Sequence, residues 1–190
     1  MNKLILASAS PRRRELLQSA KVEFEVVPSP AGEVHDETID FRTLCEINAE
    51  LKARAVADLR PEAWVLGADT LVSIDGALLG KPANADRARE MLRQLSGRTN
   101  QVCTGVCLFG PDGRKVLFHE LSEVVFLSLS DHVIDEYMSR VNTLDKAGGY
   151  AAQECGEMII AEIRGDFTNV VGLPMTRLLR ELALISQYSF

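Results

Sequence analysis

The segment from Leu4 to Leu17 constrains the fold most strongly, because it predicts a buried strand that runs directly into a helix. Ser10 is a favoured N-cap residue, and a proline such as Pro11 suits the first position of a helix. Three arginines follow in the first turn: Arg12, Arg13 and Arg14. The amino end of a helix is partially positive, so cations there are unfavourable unless an anion binds among them. We expect that anion to be phosphate; the alternative is a basic surface turn.

Helical geometry separates the three arginines. At about 3.6 residues per turn, Arg13 shares a face with Leu16 and Leu17, whereas Arg14 lies over Gln18. We therefore predict that Arg12 and Arg13 point inward and that Arg14 faces water. If the inward arginines serve only to bind phosphate, replacing either one should cost the ligand-free protein little stability.

Size, charge and cysteine content limit the class of protein. The 190 residues, of which 46% are apolar, are enough for a single domain spanning residues 1–190. A net charge of -6 argues against a general nucleic-acid-binding protein, since neutralising many phosphates requires a basic face. No apolar stretch is long enough to span a membrane, which predicts a cytoplasmic protein. The four cysteines do not form a disulfide framework, and a zinc site from Cys103, Cys107 and His119 matches no recognised spacing.

Strands and helices alternate along the chain, which predicts a mixed α/β or α+β fold. The predicted strands are 4–7, 24–27, 65–74, 77–80, 101–109, 115–127 and 158–163. The predicted helices are 11–20, 41–58, 85–95, one capped by Ser130 and one opened by Pro174. Asp75 and Gly76 form a two-residue hairpin signal between apolar runs.

Apolar periodicity predicts which face of each helix is buried. The predicted core stripes are Leu44, Ile47, Leu51 and Ala55 in the second helix, Ala88, Met91, Leu92 and Leu95 in the third, and Met175, Leu178, Leu179 and Leu182 in the last. Lys52 lies beside the second stripe, and without other information a solvated lysine is the simplest interpretation.

Asp69 is an acid in the middle of an otherwise apolar strand. An unpaired buried carboxylate costs several kcal/mol, so it must bind a metal, pair with a cation or face a cleft. Counting back from the hairpin pairs Thr70 with Lys81, so a structural salt bridge from Asp69 to Lys81 is the alternative to a catalytic role. The small neighbours Gly67 and Ala68 leave room for a ligand.

Two further polar loops carry adjacent glycines or a helix entry. They are Asp145-Lys-Ala-Gly-Gly-Tyr-Ala-Ala-Gln153 and Asn169-Val-Val-Gly-Leu-Pro174. Adjacent glycines allow close backbone approach to a ligand, although each loop alone is more typical of turns and caps.

Together these segments resemble the Maf family of nucleotide pyrophosphatases. The resemblance is carried, in family order, by Ser8-Ala-Ser-Pro-Arg-Arg13, Lys52-Ala53, Gly67-Ala-Asp-Thr70, Gly80-Lys-Pro82, Leu95-Ser-Gly97, Thr104-Gly-Val106, Asp145-Lys-Ala-Gly148 and the loop ending at Pro174. It implies a Maf/ITPase-like fold, with a mixed twisted sheet and flanking helices forming two lobes around a cleft. It also implies a homodimer and a hydrolase that uses Mg²⁺ or Mn²⁺ to convert nucleoside triphosphates to monophosphate and pyrophosphate.

The resemblance also implies roles for individual residues. Asp69 is similar to the family's general base, and Glu33 matches an acidic position near the metal. The implied substrate-binding residues are Ser8, Arg12, Arg13, Lys52, Thr70, Lys81, Lys146 and Gln153. Among these, Arg13, Lys52 and Lys81 match cations on the phosphate side, and Arg12, Thr70 and Gln153 match positions linked to substrate choice.

Gln153 and Lys146 indicate the branch of the family that acts on dTTP and UTP. A glutamine amide can donate to a pyrimidine carbonyl and accept from the ring N–H, whereas the glutamate of the other branch only accepts. The alternatives are a 7-methyl-GTP pyrophosphatase of the same family and a non-enzymatic regulator of cell division at the septum.

Overall fold

The computed structural model describes residues 3–187, and it confirms the predicted mixed α/β fold. Its strands are β1 (Leu4–Leu6), β2 (Phe24–Val26), β3 (Trp64–Ile74), β4 (Ala77–Leu79), β5 (Thr99–Phe109), β6 (Lys115–Phe126) and β7 (Ile160–Arg164). Its helices are α1 (Pro11–Ser19), α2 (Phe41–Ala57), α3 (Ala85–Leu95), α4 (Asp131–Arg140), α5 (Phe167–Val171) and α6 (Met175–Gln187). The sequence did not predict α5, nor two short 3-10 turns at Ala147–Gly149 and Gly156–Met158.

The strands form one mixed sheet. Its order is β2-β1-β3-β5-β6-β7, and β4 pairs with β3 at the side of this path. Strand β1 runs parallel to both β2 and β3, whereas β3 with β4 and β6 with β7 are antiparallel. Parallel neighbours around β1 follow from the helical connections, because α1 and α2 each return the chain to start a strand in the same direction.

The chain divides into two compact units. Unit 1 comprises Met1–Asp69, Thr104–Glu120 and Gly172–Phe190, and unit 2 comprises Thr70–Cys103 and Leu121–Val171. Unit 1 contains two apolar clusters, one around Leu6, Leu17 and Leu66 and one around Ile5 and Val65. Unit 2 has a single cluster that includes Leu92, Phe126 and Tyr137.

Helices α1 and α3 form over nearly the residues that the sequence predicts, although the sequence analysis did not name the cap of α3. The Ser10 side chain caps α1 and Pro11 occupies its first position, and Asn84 caps α3 by accepting from Arg87 N at 2.9 Å. The predicted core stripe of α3 is confirmed, since Ala88, Met91, Leu92 and Leu95 are its buried residues.

The predicted core stripe of α2 is confirmed at Leu44 but wrong at Leu51, which is exposed, and Ile47 and Ala55 are only half-buried. Besides Leu44, the helix buries Cys45, Asn48, Ala49, Ala53 and Val56. The cause is close packing against two glycines. A Cβ atom at Gly67 would lie 2.3 Å from Ala49 O, and one at Gly105 would lie 2.4 Å from Cys45 O. The α2 backbone itself therefore approaches β3 and β5 closely, and the residues at the points of closest approach are the small Cys45, Ala49 and Ala53.

The hairpin forms with the predicted turn. Asp75 and Gly76 both have positive φ, at 50° and 80°, which suits a two-residue connection between twisted strands. Ile74 pairs with Ala77 as predicted, and the ladder continues to Val72 and Leu79, where β4 ends. Lys81 therefore lies beyond the strand, and the predicted Thr70–Lys81 pair is not part of this ladder.

Three smaller expectations have clear outcomes. In α6, Met175 and Leu178 are buried, but Leu179 is 40% exposed, so its assignment to the core is wrong. The four cysteines are free thiols, and burial raises the pKa of Cys107 to about 12. Within the described residues 3–187, no helix is long and apolar enough to cross a membrane.

Candidate active site

Asp69 is the last residue of the first segment of unit 1, and it lies in β3 with 5% of its surface exposed. Both carboxylate oxygens accept hydrogen bonds. Oδ1 accepts from Lys52 Nζ at 2.6 Å, and Oδ2 accepts from Asn48 Nδ2 at 3.2 Å. The buried charge is thus compensated by one cation and one amide, as burial of a carboxylate requires.

Lys52 joins two carboxylates. Its ammonium donates to Glu33 Oε1 and to Asp69 Oδ1, each at 2.6 Å, and its side chain is only 13% exposed. The interpretation of Lys52 as a solvated helix lysine is therefore wrong. The cation that pairs with Asp69 is Lys52, rather than the Lys81 of the structural alternative.

Asn48 is a polar site residue that the sequence analysis missed. It lies one helical turn before Lys52 on α2 and is 1% exposed. The available signal was its spacing: residues four apart share a helix face, so a polar residue four positions before a site lysine faces the same way.

Arg13 is buried and hydrogen-bonded to the protein itself. Its Nε donates to Gly172 O at 3.0 Å, and its Nη1 donates to Ala68 O at 2.9 Å and to Ser8 Oγ at 3.2 Å. Burial lowers the pKa of the guanidinium, and the charge of Asp69 opposes that change. Arg13 thus links α1 to β3 and to Gly172 at the start of the last segment of unit 1. These bonds argue against the expectation that Arg13 could be removed at little cost to the fold.

We expect Arg13→Met to lower the free energy of unfolding by about 2 kcal/mol, because two buried carbonyls lose their donor. In a domain of this size that loss corresponds to a fall of about 5 °C in Tm. Thermal melts of ligand-free protein check this, with Arg14→Met as the matched control because Arg14 is exposed on the same helix. Equal Tm values for the two variants would contradict a structural role for Arg13.

The other predicted residues of unit 1 differ in exposure. Arg12 is half-buried and Arg14 is exposed, as the helical geometry predicted. Ser8 is 9% exposed, and its hydroxyl accepts from Ser10 N as well as from Arg13. Unit 1 therefore places Glu33 and Asp69 on the same ammonium of Lys52, and Ser8 and Arg13 are bonded to each other.

Two of the four residues predicted in unit 2, Lys146 and Gln153, lie in the 145–153 loop. Lys146 is 5% exposed, and its ammonium donates to Asn142 O at 2.7 Å and Asp145 Oδ1 at 2.8 Å. Gln153 is exposed and donates to Glu154 Oε1 at 3.2 Å. Gly148 and Gly149 both have positive φ, so this loop conformation requires the adjacent glycines.

Thr70 and Lys81 complete the set predicted in unit 2. Thr70 is half-buried in β3, and Lys81 is exposed just after β4. The role of Thr70 in substrate choice and the role of Lys81 in binding phosphate stay predictions.

The donor set of unit 1 fits a magnesium or manganese ion that arrives with a phosphate ligand. Within the described part of the chain, no group of three or more His, Cys, Asp or Glu side chains is arranged to hold a metal. Glu33 and Asp69 supply two carboxylates that face one ammonium. Mg²⁺ is commonly bound by one or two carboxylates together with substrate phosphates, and this pair matches that pattern.

Comparison with known proteins agrees with the resemblance. A family model described as "Maf-like protein" matches residues 3–185. A dTTP/UTP pyrophosphatase of Akkermansia muciniphila is 48% identical over 172 residues, which is 90% of each chain. One of Bacillus cytotoxicus is 47% identical over 182 residues, covering 96% of this chain and 95% of the relative. A solved nucleoside-triphosphatase / dITP/XTP pyrophosphatase of Mycobacterium abscessus aligns with 65% of this chain and 72% of its own at 21% identity, with a TM-score of 0.43. On the family match and the two sequence relatives, this chain belongs to the Maf-like protein family.

Proposed function

We propose that this protein hydrolyses dTTP and UTP to the nucleoside monophosphate and pyrophosphate. The observation that carries the proposal is the buried Asp69 carboxylate, held against Lys52 and close to Glu33. Support for the substrates comes from relatives called dTTP/UTP pyrophosphatase that are 47–48% identical over nine-tenths or more of this chain.

Asp69 acts in this proposal as the general base. A carboxylate has about four lone-pair positions, and Lys52 and Asn48 use one on each oxygen. The remaining positions can accept a proton from a water molecule that attacks the α-phosphorus. Pyrophosphate then leaves, and no residue of the protein becomes covalently modified.

The cations of the chain neutralise the triphosphate. Arg12 at the amino end of α1 and Lys52 on α2 are the candidates in unit 1, and the same role for Lys81 rests on the family resemblance alone. Charge stabilisation of this kind is the main catalytic contribution in phosphoryl transfer. Glu33 and Asp69 would hold a divalent Mg²⁺ or Mn²⁺ ion, which when bound supplies Lewis-acid charge at the phosphate oxygens.

Recognition of the base is assigned to the loop that ends at Gln153. The buried Lys146 ammonium holds this loop by donating to Asn142 O and Asp145 Oδ1. It also forms an ion pair with Glu154, with Nζ 3.4 Å from Oε1. The exposed Gln153 amide offers both a donor and an acceptor, as the edge of uracil or thymine requires.

Four free cysteines suit the reducing cytoplasm, where we place the enzyme. We also propose that it acts as a homodimer.

A panel of nucleotides with pyrophosphate detection tests the proposal. We expect dTTP and UTP to be cleaved with Mg²⁺ or Mn²⁺, and GTP and 7-methyl-GTP to be cleaved much more slowly. Preference for 7-methyl-GTP would instead indicate the other branch of the family. Absence of cleavage with every nucleotide and both metals would overturn the enzymatic proposal and favour a regulator of cell division.

Gln153→Glu tests the assignment of base recognition. We expect kcat/KM for UTP to fall about 10- to 100-fold, because a carboxylate cannot donate to the pyrimidine carbonyl and would also face Glu154. The measurement is kcat/KM for UTP and GTP, with Gln94→Glu on α3 as the matched control. An unchanged UTP-to-GTP ratio in the Gln153 variant would show that this residue does not read the base.

A further inference from the structure

The side-chain amide of Asn48 uses its hydrogen-bonding groups on two different parts of unit 1. Its Nδ2 donates to Asp69 Oδ2 and to Val34 O, both at 3.2 Å, and its Oδ1 accepts from Val34 N at 2.7 Å. Both N–H groups of the amide are therefore engaged. Asn48 is 1% exposed, so water does not replace these bonds.

These contacts fix the orientation of the amide. A flipped amide would place its oxygen against Val34 O and the Asp69 carboxylate, so two pairs of acceptors would meet. The double contact with Val34 also fixes the residue that follows Glu33 in the connection between β2 and α2. Asn48 thus joins the strand carrying Asp69 to the loop carrying Glu33.

The position of Asn48 on α2 adds a second constraint. Lys52 lies one turn later on the same helix and holds the other oxygen of Asp69. One rigid element therefore contacts both carboxylate oxygens, which sets the plane of the carboxylate. A base that must meet a water molecule in one direction depends on such a fixed plane.

We propose that Asn48 is a positioning residue for hydrolysis, which holds Asp69 and the Glu33 loop in a single arrangement. The inference rests on the proposed pyrophosphatase activity. Asn48 is buried and acts through Asp69 and the Glu33 loop, so its loss should affect the rate of the chemical step more than nucleotide binding.

The experiment compares two variants of the full chain. Asn48→Leu keeps the approximate volume and removes all three hydrogen bonds. Asn48→Asp keeps the shape and the acceptor for Val34 N, but places an oxygen where Nδ2 now faces Asp69. For both we expect kcat with dTTP to fall about 10- to 100-fold, the range typical of residues that orient catalytic or metal-binding groups. We expect KM, and the affinity for a nonhydrolysable dTTP analogue, to change less than about threefold.

A matched control separates positioning from general destabilisation. Val56→Ala opens a cavity on the same buried face of α2, two turns after Asn48, and destabilises the fold without touching Asp69. Measured well below the Tm of each variant, its kcat should stay near that of the wild type. A similar loss of kcat in Val56→Ala, or a wild-type kcat in either Asn48 variant, would overturn the proposal.

The outcomes distinguish this inference from the proposed function. A wild-type chain that cleaves no nucleoside triphosphate would overturn the proposed function and this inference with it. An active wild type with unaffected Asn48 variants would overturn this inference alone. If Asn48→Leu does not fold, the kcat of Asn48→Asp tests the inference instead.

Discussion

Asp69→Asn should reduce kcat for dTTP by at least about 100-fold, because the amide keeps the shape of the side chain but cannot accept a proton from water. The variant should still fold and bind dTTP, since an amide oxygen can accept from Lys52. The measurement is steady-state release of pyrophosphate, with binding of a nonhydrolysable dTTP analogue measured alongside by calorimetry.

Asp75→Asn is the matched control for this variant. It makes the same change on the hairpin that follows Asp69, at an exposed position where Asn also tolerates positive φ. The control should retain the kcat of the wild type. An Asp69→Asn protein with more than about half of wild-type kcat would rule out Asp69 as the base.

Gly67→Ala should destabilise the protein by about 3 kcal/mol or more, a fall in Tm on the order of 10 °C. The added methyl group would lie 2.3 Å from Ala49 O and 2.6 Å from Ala53 N, and both atoms belong to the α2 backbone. The helix has to move away from β3, which also moves Lys52 and Asn48 away from Asp69. We therefore expect a large loss of kcat in the fraction that folds.

Gly80→Ala provides the comparison for stability. A methyl group there meets no atom within 4 Å, and Gly80 is not among the positive-φ glycines. Thermal melts should place Gly80→Ala within a few degrees of the wild type and Gly67→Ala far below it. Similar melts for the two variants would mean that the close approach of α2 to β3 is not required.

Local signals in the sequence predicted the parts of the fold that depend on neighbouring residues. The Ser10-Pro11 cap sets the start of α1, and the strong amphipathic pattern of α3 gives its buried face correctly. The α2 stripe was correct at Leu44 but not beyond it, because apolar size was the criterion, while packing against Gly67 and Gly105 favours small residues. No pattern within α2 itself shows that two glycines lie opposite.

The candidate site depends on contacts between distant residues, and local patterns gave it only in part. The unusual Asp69 was visible, since an acid in an apolar strand needs a partner. Its partner Lys52 lies 17 positions away on a helix, whereas the hairpin register suggested Lys81. Family resemblance grouped Glu33 with Asp69, but the ion pairs with Lys52 and the hydrogen bond from Asn48 are visible only in the three-dimensional structure.

The three-segment construction of unit 1 bears on how the chain folds during synthesis. Arg13 emerges from the ribosome early, but its acceptor Gly172 O lies 159 residues later in the chain. That hydrogen bond can therefore form only after the last segment of unit 1, which begins at Gly172, has been synthesised. Long delays of this kind leave apolar surface of a nascent chain exposed to chaperones and to aggregation. A truncation before residue 172 should consequently leave unit 1 incomplete, even when all the preceding residues are present.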